Sequence, residues 1–333
     1  MNCVIFGAGG WGTAMAIHLA RQGQTVTLVP RRAEQALALA TTRENTDYLP
    51  GHRLDDSIQI GLEALPALMD ADLVFLACPS KGLPELLAAI GPAVRGSGAK
   101  MAISLCKGLD LATLRRPSEL MAAAFGDLPV ATLSGPSNAD EVAQGLPTAL
   151  VLASTAGDAL MKEVQAAVSG PTLRAYTSTD LVGVEIGGTL KNVYALGAGL
   201  CDGLGLGSNA KAAMLTRSLQ EMTRLGEALG ARPETFLGLG GVGDLMATAH
   251  GSWSRNRSLG EQLAKDPQGT LAALAARKEA VEGHRAAEAL SKLATSRGLT
   301  APILSCLHAI LYKGLDPRAG VVALMTRDLR PEA

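Results

Sequence analysis

Residues 4–14 read Val4-Ile5-Phe6-Gly7-Ala8-Gly9-Gly10-Trp11-Gly12-Thr13-Ala14, a short apolar strand followed by Gly-x-Gly-x-x-Gly and an alanine-rich helix. Such glycines have distinct roles: the first permits a tight turn, the second lets a pyrophosphate approach bare backbone, and the third lets helix and strand pack closely. The phosphates then meet unpaired N–H groups at the helix N-terminus. A purely structural turn is the alternative, but the strand–glycine–helix order predicts a dinucleotide site at Gly7, Gly9, Gly10 and Gly12.

The end of the second strand, residues 25–29, indicates which dinucleotide is bound. Asp or Glu usually stands there in NAD-selective folds and hydrogen-bonds the ribose hydroxyls. This chain has Arg31 and Arg32 instead, and its first acid is Glu34. An arginine pair suits a 2′-phosphate through charge-assisted, forked hydrogen bonds, although either arginine also fits a solvated loop. The pattern favours NADP(H) and leaves NAD(H) use open.

Length and composition set the broad class. The 333 residues suffice for two domains, each with its own core. A net charge of −1 and 3% aromatic residues argue against nucleic-acid binding. Although 47% of residues are hydrophobic, no apolar run reaches the roughly 20 residues of a membrane helix, so membrane insertion is not expected.

Cysteine and histidine usage indicates a reduced compartment and no metal. The five cysteines are scattered and form no Cys-x-x-Cys, which is typical of reduced thiols. The N-terminus has no basic region, and its apolar residues belong to the first strand, so we expect no signal peptide and a cytoplasmic location. The histidines show no His-Glu-x-x-His spacing, and we predict no metal site.

The chain divides into two halves. Up to residue 179, near-continuous apolar runs at 73–78, 101–105, 130–133 and 149–153 alternate with helix-like segments such as 83–90 and 117–125. Such runs are typical of parallel strands buried on both faces, and they predict a doubly wound, Rossmann-like α/β domain over residues 1–179. Ligands of such sheets bind beyond the carboxyl ends of the strands. Helical spacing at 211–229, 270–276, 284–297 and 303–312 predicts an all-α domain over residues 180–333.

Lys191 is the strongest catalytic candidate. It is the only charged residue between Glu185 and Asp202, in a segment rich in small and apolar residues. Such a helix is expected to be buried, and burial lowers a lysine pKa toward the range useful for proton transfer. The alternative is a lysine whose stem lies along a helix surface while its ammonium reaches water.

Other candidates lie in glycine-rich surroundings. Asp244 follows a glycine run, where it would orient an ammonium or accept from a substrate hydroxyl. The tripeptide Ser254-Arg255-Asn256 suits a phosphate monoester, or forms a solvated turn. Lys107 follows a strand and is either a site lysine or a surface lysine. Glu282 is either an acid at a helix start or a second cofactor contact.

The order of these motifs resembles the bacterial type of NAD(P)-dependent glycerol-3-phosphate dehydrogenase, from residue 2 to about residue 315. Besides the opening glycines, the matching motifs are Cys106-Lys107-Gly108-Leu109, Ser134-Gly135-Pro136-Ser137, Leu190-Lys191-Asn192-Val193, Asp202-Gly203-Leu204-Gly205, Gly243-Asp244-Leu245, Ser254-Arg255-Asn256-Arg257 and Val281-Glu282-Gly283.

The resemblance implies reversible reduction of dihydroxyacetone phosphate to sn-glycerol 3-phosphate for glycerophospholipid synthesis. It also implies a homodimer, a second domain like the C-terminal domain of 6-phosphogluconate dehydrogenase, and Lys191 as general acid and base. The residues implied to line the substrate are Lys107, Gly135, Ser137, Lys191, Asp244, Ser254, Arg255 and Asn256, with Arg255 and Asn256 at its phosphate. Those implied to contact the cofactor are Trp11, Arg31, Lys107, Ala139, Arg255 and Glu282, to which Arg32 and the glycines are added from the pattern.

Two segments depart from the family pattern. After Gly-Pro-Ser the family commonly has an aromatic residue, Ala and Lys, where this chain has Asn138-Ala139-Asp140; and Glu279-Ala280 replaces more apolar residues before Val281. Two other functions also fit a dinucleotide fold with a helical domain. One is a carboxylate reductase of the ketopantoate reductase or β-hydroxyacid dehydrogenase type, and the other is a non-catalytic NADP(H) sensor.

Overall fold

The apolar segments of the first half form one eight-stranded sheet and a separate hairpin. The computed structural model describes residues 1–276, 281–329 and 331–332. The strands are β1 (Asn2–Phe6), β2 (Thr25–Val29), β3 (Glu44–Asn45), β4 (Leu49–Arg53), β5 (Gln59–Ile60), β6 (Leu73–Leu76), β7 (Met101–Ser104), β8 (Val130–Ser134), β9 (Thr148–Ser154) and β10 (Leu173–Ser178). The sheet order is β10-β9-β8-β7-β6-β1-β2-β5, and β3 pairs with β4.

Helices connect these strands and form the second half. Those of the first half are α1 (Gly10–Arg21), α2 (Ala33–Thr42), α3 (Ala64–Leu68), α4 (Leu83–Arg95), α5 (Pro117–Phe125), α6 (Ala139–Gln144) and α7 (Asp158–Val168). Those of the second half are α8 (Leu181–Gly203), α9 (Gly207–Glu227), α10 (Pro233–Phe236), α11 (Asp244–His250), α12 (Arg255–Lys265), α13 (Pro267–Ala276), α14 (Glu282–Ser296), α15 (Pro302–Tyr312) and α16 (Pro317–Met325).

β1 lies at the point where the strand order reverses. It pairs in parallel with β2 on one side and β6 on the other, so Phe6 aligns with both Val29 and Leu76. The carboxyl ends of the three strands therefore meet at one edge of the sheet. That crevice is where doubly wound sheets bind their ligands.

One strand runs opposite to the prediction. β9 pairs antiparallel with β8, whereas the apolar run at 149–153 was expected to be a parallel strand. The segment between the two strands contains only α6, whose six residues span about 9 Å. A parallel neighbour needs a connection that runs back along the length of β8, about 17 Å for five residues, and α6 does not span it, so the chain re-enters the sheet from the edge that it left.

The second half packs around α8, which is buried along nearly its whole length. A Cβ added at Gly199 would lie 1.9 Å from the carbonyl oxygen of Arg257, and one at Gly260 would lie 2.1 Å from that of Leu196. Glycine therefore lets α8 and α12 approach at backbone distance. After residue 180, the part of the chain that the structure describes is helices and loops. No helix within residues 1–276, 281–329 and 331–332 has both the length and the apolar character to cross a membrane.

The two halves meet at a short connection. β10 ends at Ser178, and α8 begins at Leu181, with Asp180 as its N-cap accepting a hydrogen bond from the Gly183 amide at 2.9 Å. We therefore propose domains of residues 1–179 and 180–333. The departures at Glu279 and Ala280 lie outside the described residues.

Candidate active site between the two halves

The turn after β1 has the tight backbone and the close helix–strand approach expected from its glycines. Gly7 has φ +111°, and a Cβ there would lie 2.6 Å from the carbonyl oxygen of Ala77. A Cβ at Gly12 would lie 2.0 Å from the carbonyl oxygen of Gly7, so the helix must pass the strand at backbone distance. At Gly9, no heavy atom of the described residues beyond its immediate chain neighbours lies within 4 Å of where a Cβ would stand, and no side chain caps α1. The first N–H groups of α1 are therefore available to an anion.

Two neighbours of this turn also fit a dinucleotide. The buried Nε1 of Trp11 has no hydrogen-bond partner among the described residues, which is costly for a buried donor unless a ligand accepts from it. Ala139, at the start of α6, lies 3.7 Å from where a Cβ of Gly10 would stand. Both residues thus border the glycine turn.

Arg31 and Arg32 follow β2 and are exposed. The Nη2 of Arg31 lies 3.6 Å from the Oε2 of Glu85 in the first turn of α4, a solvent-exposed pair of small energetic value. Arg32 is the N-cap residue of α2. The structure therefore places two guanidinium groups beside the strand end that reads the ribose in doubly wound sheets.

Lys191 is buried within α8, and its ammonium is held by two oxygens of α11. Its Nζ donates to the Thr248 Oγ1 at 2.7 Å and lies 2.8 Å from the Oδ1 of Asp244. Burial lowers the pKa of Lys191 to about 8; the charge of Asp244 opposes this shift and that of Lys107 adds to it. A lysine with that pKa exchanges a proton near neutral pH.

Asp244 joins Lys191 to the first half of the chain. Its Oδ2 accepts from the Nζ of Lys107 at 2.6 Å, and the same ammonium donates to the Gly135 carbonyl at 2.9 Å and the Ser137 Oγ at 3.0 Å. Burial raises the pKa of Asp244, but the two ammonium groups outweigh it and hold the pKa below its usual value. One carboxylate therefore bridges two cations, which leaves the centre with a net positive charge.

A turn of glycines places Asp244 against α8. The residues Leu239–Gly243 form a π-helical turn that leads directly into α11. A Cβ at Gly187 of α8 would lie 2.2 Å from the Gly240 carbonyl oxygen. Only glycine permits this approach, which brings the start of α11 within hydrogen-bond distance of Lys191.

The Ser-Arg-Asn tripeptide forms the start of α12. The Oγ of Ser254 caps that helix by accepting from the Arg257 amide at 3.2 Å. Asn256 is buried; its Nδ2 donates to the Asn192 Oδ1 at 2.8 Å, and its Oδ1 accepts from the Gly283 amide at 2.8 Å. Asn256 therefore ties α12 to α8 and α14. Arg255 is exposed at the same helix start.

Glu282 links the second half to the loop after β6. Its Oε2 accepts from the Ser80 Oγ at 3.0 Å. Burial raises the pKa of Glu282 against the hydrogen bonds from Ser80 and the charges of Arg285 and Arg255. This carboxylate therefore lies near Arg255 and beside the strand end that faces the dinucleotide turn.

Sequence reasoning overlooked Thr248, whose hydroxyl accepts from Lys191 and donates to the Asp244 carbonyl at 2.7 Å. Its position four residues after Asp244 puts both on one face of α11, and that spacing is the signal that identifies it. The departures from the family pattern have local partners: Asn138 caps α6 through the Glu141 amide at 3.0 Å, and Asp140 pairs with His52 at 2.6 Å.

The fold and this centre define a class: a two-domain, dinucleotide-dependent oxidoreductase with a buried lysine–aspartate pair between a Rossmann-like sheet and a helical domain. Residues 2–160 match the family model of the NAD-dependent glycerol-3-phosphate dehydrogenase N-terminus, and residues 180–322 match that of its C-terminus. The chain belongs to the NAD-dependent glycerol-3-phosphate dehydrogenase family.

Individual relatives agree along the whole chain. Glycerol-3-phosphate dehydrogenase (NAD(P)+) of Thermus thermophilus is 46% identical over 334 residues, covering 100% of both chains. The enzyme of that name from Ralstonia nicotianae is 45% identical and covers 100% of this chain and 99% of its own. The crystal structure of glycerol-3-phosphate dehydrogenase from Coxiella burnetii is 35% identical, with a TM-score of 0.90 and 98% of each chain covered.

Proposed function

We propose that this protein reduces dihydroxyacetone phosphate to sn-glycerol 3-phosphate with NADPH or NADH, in a reversible reaction. The observation that carries the proposal is the buried chain of charges from Lys107 through Asp244 to Lys191, which joins the two halves beside the dinucleotide turn. Family membership over both halves supports the substrate. A dinucleotide held at the glycine turn would supply the hydride for the carbonyl carbon.

Lys191 supplies the proton in this proposal. Negative charge builds on the carbonyl oxygen as hydride arrives, and a positioned ammonium stabilises that charge before it transfers a proton from Nζ. Asp244 and Thr248 aim the Nζ through contacts of 2.8 and 2.7 Å. In the reverse direction the neutral amine accepts the hydroxyl proton.

The remaining substrate contacts follow from the polar groups where the two halves meet, which we call the seam. Lys107, Gly135 and Ser137 approach from the first half, where their mutual hydrogen bonds hold them in place. Ser254, Arg255 and Asn256 would bind the phosphate from the start of α12. The Nδ2 of Asn256 keeps a second N–H after its bond to Asn192, and the Ser254 hydroxyl keeps its donor after capping the helix.

We propose NADP(H) as the preferred cofactor. Arg31 and Arg32 would bind the 2′-phosphate, whereas Gly7, Gly9, Gly10 and Gly12 form the pyrophosphate turn. Trp11, Lys107, Ala139, Arg255 and Glu282 would complete the contacts. The preference rests on the exposed guanidinium groups after β2, where the first carboxylate along the chain is Glu34.

The other two functions are not favoured. A carboxylate reductase would share the fold, but both halves match glycerol-3-phosphate dehydrogenase models. A sensor has no use for a buried lysine whose pKa is lowered to about 8. We also propose a cytoplasmic homodimer that supplies glycerophospholipid synthesis; the five cysteines are free thiols, as a reducing compartment favours.

The test is NADPH oxidation with dihydroxyacetone phosphate, set against unphosphorylated dihydroxyacetone and a 2-keto acid such as ketopantoate. We expect a kcat/KM at least 100-fold higher for the phosphorylated ketone. Equal turnover of both ketones would reject the phosphate site, and preference for the keto acid would support the reductase alternative.

A further inference from the structure

Cys78 and Cys106 lie side by side where two neighbouring strands end. Leu76 of β6 aligns with Ser104 of β7, and the Leu105 amide continues the ladder to the Leu76 carbonyl at 2.9 Å. Two residues further along, the two cysteines face each other. Neighbouring strands are about 4.8 Å apart, inside the roughly 4.4–6.8 Å between Cα atoms that a disulfide spans.

The two sulfur atoms are already in contact. Their Sγ atoms lie 3.9 Å apart, and the Cys106 thiol donates to the Cys78 carbonyl at 2.9 Å. Cys78 is partly exposed, whereas Cys106 is buried. Contact with Cys78 and burial raise the pKa of the Cys106 thiol well above its usual value. Cys78 is therefore the sulfur that meets an oxidant first.

We propose that Cys78 and Cys106 form an oxidation site at which a hydroperoxide converts the two thiols to a disulfide that slows the enzyme. In the first step the Cys78 sulfur attacks the peroxide; an S–O bond forms, the O–O bond breaks, and the thiol proton leaves with the alcohol or water. In the second step the Cys106 sulfur displaces hydroxide from the sulfenic acid, and the thiol proton converts that hydroxide to water. Two thiols lose two electrons, and the peroxide gains them.

The disulfide would slow turnover because Cys106 directly precedes Lys107. Bond formation brings the sulfurs from 3.9 Å to about 2 Å. The following residue, Gly108, leaves little room to absorb the movement, since a Cβ there would lie 2.8 Å from the Ser80 Oγ. Lys107 holds Asp244, and Asp244 holds Lys191. A displacement of about 1 Å at such a centre lowers rates by up to about 100-fold.

The test treats the full-length protein with hydrogen peroxide, blocks remaining thiols by alkylation, and measures peptides and turnover together. We expect a linked Cys78–Cys106 peptide two hydrogens lighter than the two thiol peptides, a fall in turnover of at least tenfold, and recovery with dithiothreitol. The turnover readout rests on the proposed function, but the linked peptide does not. A protein that forms the link yet never reduces dihydroxyacetone phosphate would therefore reject only the activity.

Variants identify the sulfurs involved. Cys78→Ser should lose the linked peptide and resist peroxide, whereas Cys306→Ser, which removes another partly exposed thiol, should remain sensitive. Cys106→Ala should accumulate a sulfenic acid on Cys78 that dimedone traps. No linked peptide in the wild-type protein, a linked peptide with unchanged turnover, or a peroxide-sensitive Cys78→Ser protein would each overturn the proposal.

Discussion

Lys191, Asp244 and Lys107 form a chain in which each charge sets the state of the next. Burial alone would push Asp244 toward its neutral form and Lys191 toward the free amine. The two ammonium groups keep Asp244 ionised. The charge of Asp244 in turn limits how far burial lowers the pKa of Lys191. The arrangement therefore gives Lys191 a pKa of about 8, close to the pH at which it would work.

Lys191→Met tests whether this lysine donates the proton. Methionine approximately keeps the volume of the stem, and Asp244 retains its contact with Lys107, so we expect a folded protein with nearly normal NADPH affinity. Loss of a general acid should lower the single-turnover rate by roughly 10²–10⁴-fold. Lys292→Met, at an exposed lysine of α14, serves as the control. A folded Lys191→Met protein with near-normal turnover would falsify the assignment and direct attention to Lys107.

The pKa of Lys191 predicts opposite pH profiles for the two directions. The reduction requires the ammonium, so kcat/KM for dihydroxyacetone phosphate should fall as pH rises through about 8. Oxidation of sn-glycerol 3-phosphate requires the free amine and should rise over the same interval. Because the charge of Lys107 lowers the pKa of Lys191, Lys107→Met should move both midpoints to higher pH, whatever it does to the absolute rate. Midpoints that stay at the wild-type pH would contradict this coupling.

Arg31→Ala tests the cofactor preference. Removing the guanidinium should raise KM for NADPH by about tenfold, the low end for a hydrogen bond between charged groups, and change KM for NADH little. Arg53→Ala, at another exposed arginine, should affect neither cofactor. Equal losses with NADPH and NADH would show that Arg31 does not read the 2′-phosphate.

The main candidate residues stand out in the sequence because their surroundings are unusual. Lys191 is the only charged residue between Glu185 and Asp202, and Asp244 follows a run of glycines; the structure joins Lys191 and Asp244 at 2.8 Å. Thr248 was overlooked because its spacing of four residues from Asp244 becomes informative only once Asp244 is known to begin a helix. Asn256 gives no sign in the sequence that its amide connects three helices.

At the scale of elements, the sequence pattern predicts the helices and strands whose boundaries depend on residues next to them in the chain. Helix α5 has the predicted bounds of 117–125, because a proline opens it and a glycine follows it. Strand β10 was not predicted: it lies at the sheet edge, and buried residues alternate with exposed ones such as Arg174. The antiparallel direction of β9 depends on the length of α6, and a strand's own residues do not record its direction.

One contact between elements should matter for docking α8. The Glu185 carboxylate is buried and accepts from the Arg116 Nη1 at 2.8 Å, the Ser118 amide at 2.8 Å and the Ser118 Oγ at 2.6 Å. Arg116 and Ser118 lie at the start of α5, so their hydrogen bonds to Glu185 link the sheet domain to α8, the helix that carries Lys191. Burial raises the pKa of Glu185, against which Ser118 and Arg116 stabilise the charged form.

Arg116→Met should therefore destabilise the protein by about 3–5 kcal/mol, because it leaves a buried carboxylate without its cation. The free energy of unfolding from urea titration measures this loss. Adding Glu185→Gln to Arg116→Met should recover part of the stability, and Arg53→Met, at an exposed ion pair, should cost less than about 1 kcal/mol. An Arg116→Met protein as stable as Arg53→Met would exclude a docking role.

At the scale of the whole molecule, neither half contains a complete site. The dinucleotide turn and Lys107 belong to the sheet domain, whereas Lys191, Asp244 and Arg255 belong to the helical domain. The domain types were predictable from periodicity, because strand-like runs stop before residue 180. The contact between the two domains was not, since it depends on pairs of residues far apart in the sequence, Lys107 with Asp244 and Arg116 with Glu185. A substrate bound at this seam must contact both halves.

That division predicts how ligands stabilise the protein. NADP+ should raise Tm alone, and sn-glycerol 3-phosphate should raise it further when NADP+ is present, because each ligand that binds only the native state adds stability by mass action. Glycerol, which lacks the phosphate, should add nothing. Arg255→Ala should lose most of the Tm increment due to sn-glycerol 3-phosphate. Because Arg255 also lies near Glu282, NADP+ affinity is measured directly in the variant, and NADP+ is held at saturation. An undiminished increment in Arg255→Ala would show that the phosphate binds elsewhere, and an equal increment with glycerol would show that the seam does not select for phosphate at all.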